Sequence, residues 1–380
     1  MRLFVGSFMV IGLVCGQSWN ANATPESRAA VLFLLIEPGA RAQGMGEVGT
    51  AIANDGTAAH FNPAGIISPR VMAANLSYWN WLPGLADDLS YIHGSMLLAS
   101  KRDAPGDSRI ALGTTFKILN LGEQARTGES GESLGKYRSY DAMIGVTFAA
   151  AKARSSAGVM SFGATLKLIR SNLADQGAGA ERGSGVANAV SMDVGFLWQG
   201  LGWELFDQVR ANTAIITNET ARSMLYNRML PGLSFGVALS NLGPKIAYID
   251  ASQADPLPLN IRFGLGFTLD TDIIGFQAGL DIYKPLISDG SFASNTVTAW
   301  FDESFKDEFL EMDYHLGAEF TWLMFYSARA GYLFDWDGEL RGPSVGVGIG
   351  PETARLNIAC LFGELSEYNS KWRFSLDTAF

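Results

Sequence analysis

Long stretches in which apolar and polar residues alternate strictly recur from about residue 71 onward, and they restrict the fold of this chain more than any other feature. In Asn260 to Asp270, Ile261, Phe263, Leu265, Phe267 and Leu269 share one face of an extended strand. Asn260, Arg262, Gly264, Gly266, Thr268 and Asp270 share the other. Ile274, Phe276, Ala278, Leu280 and Ile282 likewise oppose Gly275, Gln277, Gly279 and Asp281. Leu316, Ala318, Phe320 and Trp322 oppose His315, Gly317, Glu319 and Thr321, and Leu356, Ile358, Cys360 and Phe362 oppose Arg355, Asn357 and Ala359. One face is continuous and apolar, while the other carries charges and glycines. A soluble sandwich buries the apolar faces against each other, whereas a membrane barrel turns them to lipid. Alternation alone does not say which face points outward.

Three further features favour the barrel. Many segments are as long as a tilted membrane strand, about 9 to 11 residues, where ordinary strands run to about 5 or 6. Aromatic residues gather at segment ends (Tyr78, Trp79 and Trp81; Trp198 and Trp203; Trp300; Trp322, Phe325 and Tyr326; Tyr332, Phe334 and Trp336), as in interfacial girdles. The chain ends with Trp372, Phe374, Leu376 and Phe380 on one face, an ending that resembles the C-terminal strand read by the bacterial barrel-assembly machinery. Trp372, Phe374 and Phe380 are the candidate assembly signal. About fourteen segments can be counted, near 71–81, 88–99, 108–120, 137–150, 156–172, 186–199, 232–242, 258–270, 272–284, 310–322, 324–334, 341–350, 352–362 and 371–380. The expected fold is all-β, a transmembrane antiparallel barrel of about 14 strands. An even count suits closure, which leaves no unpaired edge in lipid.

The address follows from the first residues. Arg2, an apolar run from Leu3 to Val14 and Ala21-Asn22-Ala23 read as a signal peptide cleaved near Ala23. The run is shorter than the roughly 20 residues of a spanning helix. Removing Arg2 takes Lys plus Arg from 28 to 27 against 38 acidic residues. This acidic balance argues against a nucleic-acid partner and against electrostatic docking on anionic lipid. Cys360 then stands alone, so no intrachain disulfide or cysteine zinc site is expected, and His60, His93 and His315 lack metal-ligand spacing.

Val31 to Ile66 departs from the alternating pattern. It begins apolar (Val31 to Ile36), continues through Pro38, Gly39, Gly44, Gly46 and Gly49, and closes on Asn62-Pro63-Ala64-Gly65. Such punctuation folds a chain tightly. Glu37-Pro38-Gly39-Ala40-Arg41-Ala42, then Gly44-Met45-Gly46-Glu47, Ala53-Asn54-Asp55 and Asn62-Pro63-Ala64-Gly65, resemble the opening of the PorV/PorQ family of outer-membrane proteins. That family is similar to FadL-type fatty-acid transporters, in which a folded N-terminal segment sits inside a fourteen-stranded barrel. The resemblance implies a signal peptide at 1–23, a plug at 24–70 and an outer-membrane barrel at 71–380. Glu37 and Arg41, four apart, could pair if their stretch is helical. Asn62 before Pro63 is held out of the α region and could close an Asx-turn, and Asp55 completes the candidate plug residues. Lys117, Lys167, Asp193, Arg262, Asp281, His315, Glu319, Arg329 and Arg355 are expected to face the lumen.

Long external connections are expected at 121–136, 173–185, 243–257 and 285–309, and short periplasmic ones between. Gly200 to Pro231 is the exception, read as a short periplasmic helix around Asn218 to Tyr226 or, alternatively, as a miscounted strand. Phe301, Phe305 and Phe309 could form an amphipathic turn in the last external connection. Gly44-Met45-Gly46-Glu47-Val48-Gly49 fits the dinucleotide fingerprint literally, yet no βαβ unit surrounds it. No nucleophile elbow, zinc helix or phosphate loop is present, so no enzyme, catalytic residue, metal or cofactor is expected. The resemblance implies binding of secreted cargo C-terminal domains or translocon subunits in type IX secretion. Its alternative is FadL-like transport of fatty acids or other apolar ligands, with Val31 to Ile36 either lining a pocket or anchoring the plug. Outer-membrane lipid surrounds the barrel in both readings.

Overall fold

The computed structural model describes residues 29–67, 71–82, 88–100, 108–127, 130, 132–152, 158–174, 185–202, 231–248, 252, 254–271, 273–287, 312–335, 341–351, 353–363 and 371–379. The signal peptide, the helix expected at 218–226, the Phe301 to Phe309 turn and Phe380 lie outside these residues. Fourteen strands are described: β1 (Met72–Asn80), β2 (Leu89–Ala99), β3 (Arg109–Thr127), β4 (Ser133–Ala151), β5 (Val159–Ala174), β6 (Gly185–Leu201), β7 (Gly232–Leu242), β8 (Asn260–Asp270), β9 (Ile274–Pro285), β10 (Asp313–Trp322), β11 (Tyr326–Phe334), β12 (Arg341–Ile349), β13 (Arg355–Leu361) and β14 (Trp372–Ala379). Each pairs antiparallel with its neighbours in sequence. The sheet closes where β14 meets β1, in a register running from Ala73↔Ala379 to Tyr78↔Phe374.

Closure settles which face points outward. Ile144, Val146, Phe148, Phe162, Leu166, Leu168, Leu265, Leu316, Phe320, Leu356, Phe374 and Leu376 all expose their apolar side chains, while Arg262, Asp281, His315, Glu319 and Arg329 are buried inside. This inverted polarity belongs to a barrel in lipid. On β5 the outward apolar residues run from Met160 to Leu168, about the span that a tilted membrane strand needs. Arg170, Tyr140 and Asn188 end the band on one side, with the guanidinium donating to Tyr140 Oη (3.2 Å) and Asn188 Oδ1 (3.5 Å). Trp322, Phe325 and Tyr326 end it on the other, at the tight β10–β11 turn.

Three sequence expectations need correction. β3 and β4 do not stop near 120 and 137. A bulge at Leu121-Gly122, with Gly122 at φ 78°, lets them continue as a two-stranded ribbon beyond the band, held by Lys136–Glu123 (2.6 Å) and Tyr137 Oη donating to Gln124 (2.9 Å). The pattern hid this ribbon because both of its faces are polar. Trp79 is not a girdle residue. It is buried in the lumen, stacked on Tyr91 at 4.4 Å, because its place in β1 has inward parity. The 243–257 connection is not wholly external: Ile246 and Leu257 turn inward and are buried, and an Ile246↔Asp255 bridge ties its two limbs.

Fourteen strands enclose a lumen too wide for side chains from the wall to fill. The segment before β1 fills it. This plug comprises a 3₁₀ turn (Leu32–Leu35), helix α1 (Ala40–Gly44), helix α2 (Ala58–Phe61) and a second 3₁₀ turn (Pro63–Ile67). It lies against a row of inward glycines that crosses the sheet from β5 to β12: Gly163, Gly195, Gly236, Gly264, Gly279, Gly317, Gly331 and Gly346. Several are directly paired, among them Gly163↔Gly195, Gly279↔Gly317 and Gly317↔Gly331. A Cβ on Gly331 would sit 2.0 Å from the Gly46 nitrogen, and one on Gly195 would sit 2.0 Å from Asn62 Oδ1. Gly331→Ala is therefore expected to unseat the plug at a cost of about 1–3 kcal/mol or more, since overpacking here meets backbone. Gly275→Ala, which would meet its neighbours at an ordinary 3.4 Å, should stay within about 0.5 kcal/mol of the parent. Urea titration followed by the mobility difference between folded and unfolded barrel checks this. Equal resistance of the two variants would mean that the glycine row does not seat the plug.

Candidate functional site

The site is the plug in its seat. It meets every strand: Gly56 packs on Asn75 of β1 and accepts from Ser95 of β2, Leu34 accepts from Lys117 of β3, and the second 3₁₀ turn lies on β4 to β6. Thr50 meets β7, Glu37 meets Arg262 of β8, and Gly49 meets Asp281 of β9. Gly46 meets His315, Gly331 and Ser344 on β10 to β12, α1 packs on β13, and Ala40 meets Ser375 of β14.

Arg41 is the hub of its periplasmic half. Its guanidinium donates to Asn54 Oδ1 (2.7 Å), Asp55 Oδ2 (2.9 Å), Gln277 and both oxygens of Glu319, and Glu319 also accepts from Arg329 Nε. Two guanidiniums and two carboxylates are thereby buried together as a neutral group, the condition under which charges tolerate burial. Asp55 also accepts from Thr57 N at 2.8 Å, closing the turn into α2. Glu37 does not pair with Arg41. The helix begins only at Ala40, so Glu37 points elsewhere and binds Arg262 at 2.6 Å. Arg262 in turn lies over the rings of Tyr283 (4.9 Å) and Phe61 (5.8 Å).

Other predicted residues bind plug backbone. Asp281 Oδ2 accepts from the amides of Gly49 and Thr50, both at 2.8 Å, and His315 Nδ1 lies 2.9 Å from the Gly46 carbonyl. Asn62 does close an Asx-turn, accepting from Ala64 N at 3.0 Å, while its amide donates to the carbonyls of Thr50 (3.0 Å) and Phe196 (2.9 Å). Pro63 starts the second 3₁₀ turn, pressed on Gly163. Lys167 and Asp193 pair at 2.7 Å away from the plug, and Arg355 donates to the Met324 and Gly350 carbonyls at the periplasmic turns. Trp372 and Phe374 face lipid on β14.

Sequence reasoning placed Lys117 in the lumen without naming its partners, and gave no role to His60, Arg373 or Tyr91. Lys117 Nζ donates to the carbonyls of Leu34 (2.9 Å) and Ile36 (2.8 Å) and sits 3.0 Å from His60 Nδ1. Tyr91 Oη donates to the Ile36 carbonyl at 3.2 Å. These donors pin Val31 to Ile36 into an apolar upper lumen formed by Trp79, Tyr91, Leu119, Met143, Ile169 and Leu257. The segment fills this space, with Phe33 and Leu34 buried and Leu32 exposed at 52% toward the external mouth. Val31, a β-branched residue, is held left-handed at φ 51°. A cavity of about 10 Å³ remains in the plug core beside Arg41, Met45 and Phe61, room for about one water.

A protein-family model described as "Type IX secretion system protein PorV" matches residues 20–287. The chain belongs to the PorV family. As a PorV-family barrel it resides in the outer membrane, with the plug opening motifs inside the matched region. No curated protein matches it in sequence. Among solved structures it is similar to the Ralstonia pickettii toluene transporter TbuX, with 12% identity over 92% of this chain and 100% of that one and a TM-score of 0.49. The Pseudomonas putida toluene transporter TodX gives 11% over 90% and 96% with a TM-score of 0.46. The CymD monoaromatic hydrocarbon channel gives 13% over 90% and 97% with a TM-score of 0.48.

Two predictions concern the seat of this PorV-family plug. Arg41→Ala leaves Glu319 and Asp55 without their main partner and should destabilise plug docking by about 3–5 kcal/mol. The readout is protease cleavage within 36–67 of the otherwise folded barrel, and unchanged protection would refute the hub. Burial, followed by the nearby Glu37 charge, raises the Glu47 carboxyl from an ordinary 4.5 to about 8. The fold thus favours protonated Glu47, so its stabilising contribution is complete below the ordinary value and is lost as pH rises through about 8. Plug protection should fall between pH 5 and pH 8 or so, and Glu47→Gln should flatten that profile.

Proposed function

We propose that this PorV-family barrel is a docking protein without catalytic activity. It would bind C-terminal domains of secreted cargo, or a translocon subunit, at its external face and present them for type IX-like secretion. The observation that carries the reading is the plug: it meets all fourteen strands and its own Val31 to Ile36 fills the apolar upper lumen, an arrangement suited to a rigid platform rather than an open conduit. The family description, which names type IX secretion, points the same way. The β3–β4 ribbon, with Glu123, Gln124, Lys136 and Arg138 exposed, places a paired, polar extension beyond the apolar band where an external partner would meet it. Export would follow cleavage near Ala23, and insertion would use Trp372, Phe374 and Phe380 for the assembly machinery.

The second reading, transport of fatty acids or other hydrophobic molecules, draws on the same upper lumen. Trp79, Tyr91, Leu119, Met143 and Ile169 would line an apolar site if Val31 to Ile36 withdrew. Purifying the barrel from native outer membranes in mild detergent, with mass spectrometry of copurifying polypeptides and lipids, separates the two. Secreted proteins sharing a C-terminal β-domain, or a translocon subunit, are the expected result. Apolar small molecules without such proteins would overturn the docking reading.

A further inference from the structure

The plug brackets the one place where the barrel joins strands from opposite ends of the chain. On the lumen side of the β1–β14 seam, three residues of β14 point inward (Arg373, Ser375 and Asp377) opposite Trp79, Ser77 and Asn75 of β1. Only the last level is bridged side chain to side chain without aromatic help: Asn75 Nδ2 donates to Asp377 Oδ1 at 2.6 Å. The other levels are joined through the plug. Arg373 lies 4.4 Å over the Trp79 ring while its Nη1 donates to the Glu37 carbonyl at 2.9 Å and lies 3.7 Å from the Glu47 carboxyl. The Ala40 amide donates to Ser375 Oγ at 3.2 Å. On the β1 side, a Cβ on Gly56 would be 2.5 Å from the Asn75 amide nitrogen, so that turn is flush against the strand, and Ser95 of β2 donates to the Gly56 carbonyl at 2.5 Å.

Register at this seam matters because a slip of one residue would turn Arg373 and Asp377 into lipid and bring Trp372 and Phe374 into the lumen. A slip of two preserves the faces and is opposed only by specific partners. Besides the Asn75–Asp377 bond and the Arg373–Trp79 contact, the groups that distinguish the native register from a slip of two are those the plug holds out to Arg373 and Ser375, and the plug is contiguous with β1 in sequence. β14 must find these partners more than 330 residues away.

We propose that the plug is the template on which the barrel is closed: seated first against β1 and β2 through Gly56, it receives β14 at Glu37 and Ala40 and so sets the register of the seam. This is an assembly function for the plug, independent of whether the finished barrel binds cargo or apolar molecules.

The full-length chain with Cys360→Ser provides the test. Leu76→Cys with Leu376→Cys, lipid-facing register partners, reports the native seam; Leu76→Cys with Phe374→Cys reports a slip of two. Ala40→Cys with Ser375→Cys reports arrival of β14 on the plug. In pulse-chase assembly, the plug–β14 crosslink is expected to form before the native seam crosslink. Arg373→Gln with Ser375→Ala, in which β14 keeps its lipid face, should lower the ratio of native to slipped crosslinks by about tenfold or more, the factor one charge-assisted hydrogen bond supports. Seam crosslinks that precede plug–β14 crosslinks, or a native-to-slipped ratio unchanged in the double variant, would overturn the template.

Discussion

A strand in lipid cannot leave its backbone polar groups unpaired, and every other feature of this protein depends on that constraint. Closure is the only solution open to a sheet, so β14 must return to β1. Closure into fourteen strands then creates an interior too wide for wall side chains, and the alternating pattern delivers polar groups to that interior. Charges such as Glu319, Arg262 and Asp281 cannot be left there without partners. The plug supplies them, mostly as main-chain amides and carbonyls and, through Arg41 and Glu37, as compensating charges. It is therefore the second half of the lumen's hydrogen-bond inventory as well as its filling.

The glycine row shows how the wall accommodates this arrangement. A strand interior gains nothing intrinsic from glycine, which weakens it by leaving no side chain to pack. Where plug backbone comes within 2.0–2.4 Å of the place a Cβ would occupy on Gly163, Gly236, Gly317 and Gly331, the loss is offset by main-chain contact and by the bonds that such closeness allows. The same closeness explains the literal dinucleotide fingerprint at Gly44 to Gly49. Gly46 is left-handed at φ 65°, its amide donates to Ser344 at 3.0 Å and its carbonyl meets His315, so those glycines serve contact with the wall and not a phosphate.

Most of the wall was legible in the sequence because lipid on one side and plug on the other force a two-residue period, and the fourteen described strands overlap the segments that alternation marks, with β3 and β4 running past theirs. What was not legible has physical causes. The ribbon beyond Gly122 has water on both faces, so alternation vanishes although cross-strand pairing continues. Trp79 sits among end-of-strand aromatics, and only its parity, opposite to that of Tyr78, marks it as inward. The Glu37–Arg41 spacing suggested a helical pair, but Pro38 and Gly39 (φ 88°) delay the helix until Ala40 and release Glu37 to Arg262. Lumen-facing charges were identified by parity, whereas their individual partners depend on plug backbone that sequence spacing cannot position.

The plug also bears on the external face. Its first described residues reach the external half of the lumen, where the Ala30 amide donates to the Pro256 carbonyl at 2.9 Å and Ile246 and Leu257 of the β7–β8 connection pack on Val31 to Leu34. Connections of a barrel are its most mobile parts unless something orders them. Here one of them is held from beneath by the same segment that Lys117 and Tyr91 fasten to β3 and β2. A surface that must recognise another protein loses less entropy on binding when its loops are already fixed. Order in the upper lumen is thus transmitted, by direct contact of Ala30 to Leu34 with the β7–β8 connection, to the rim.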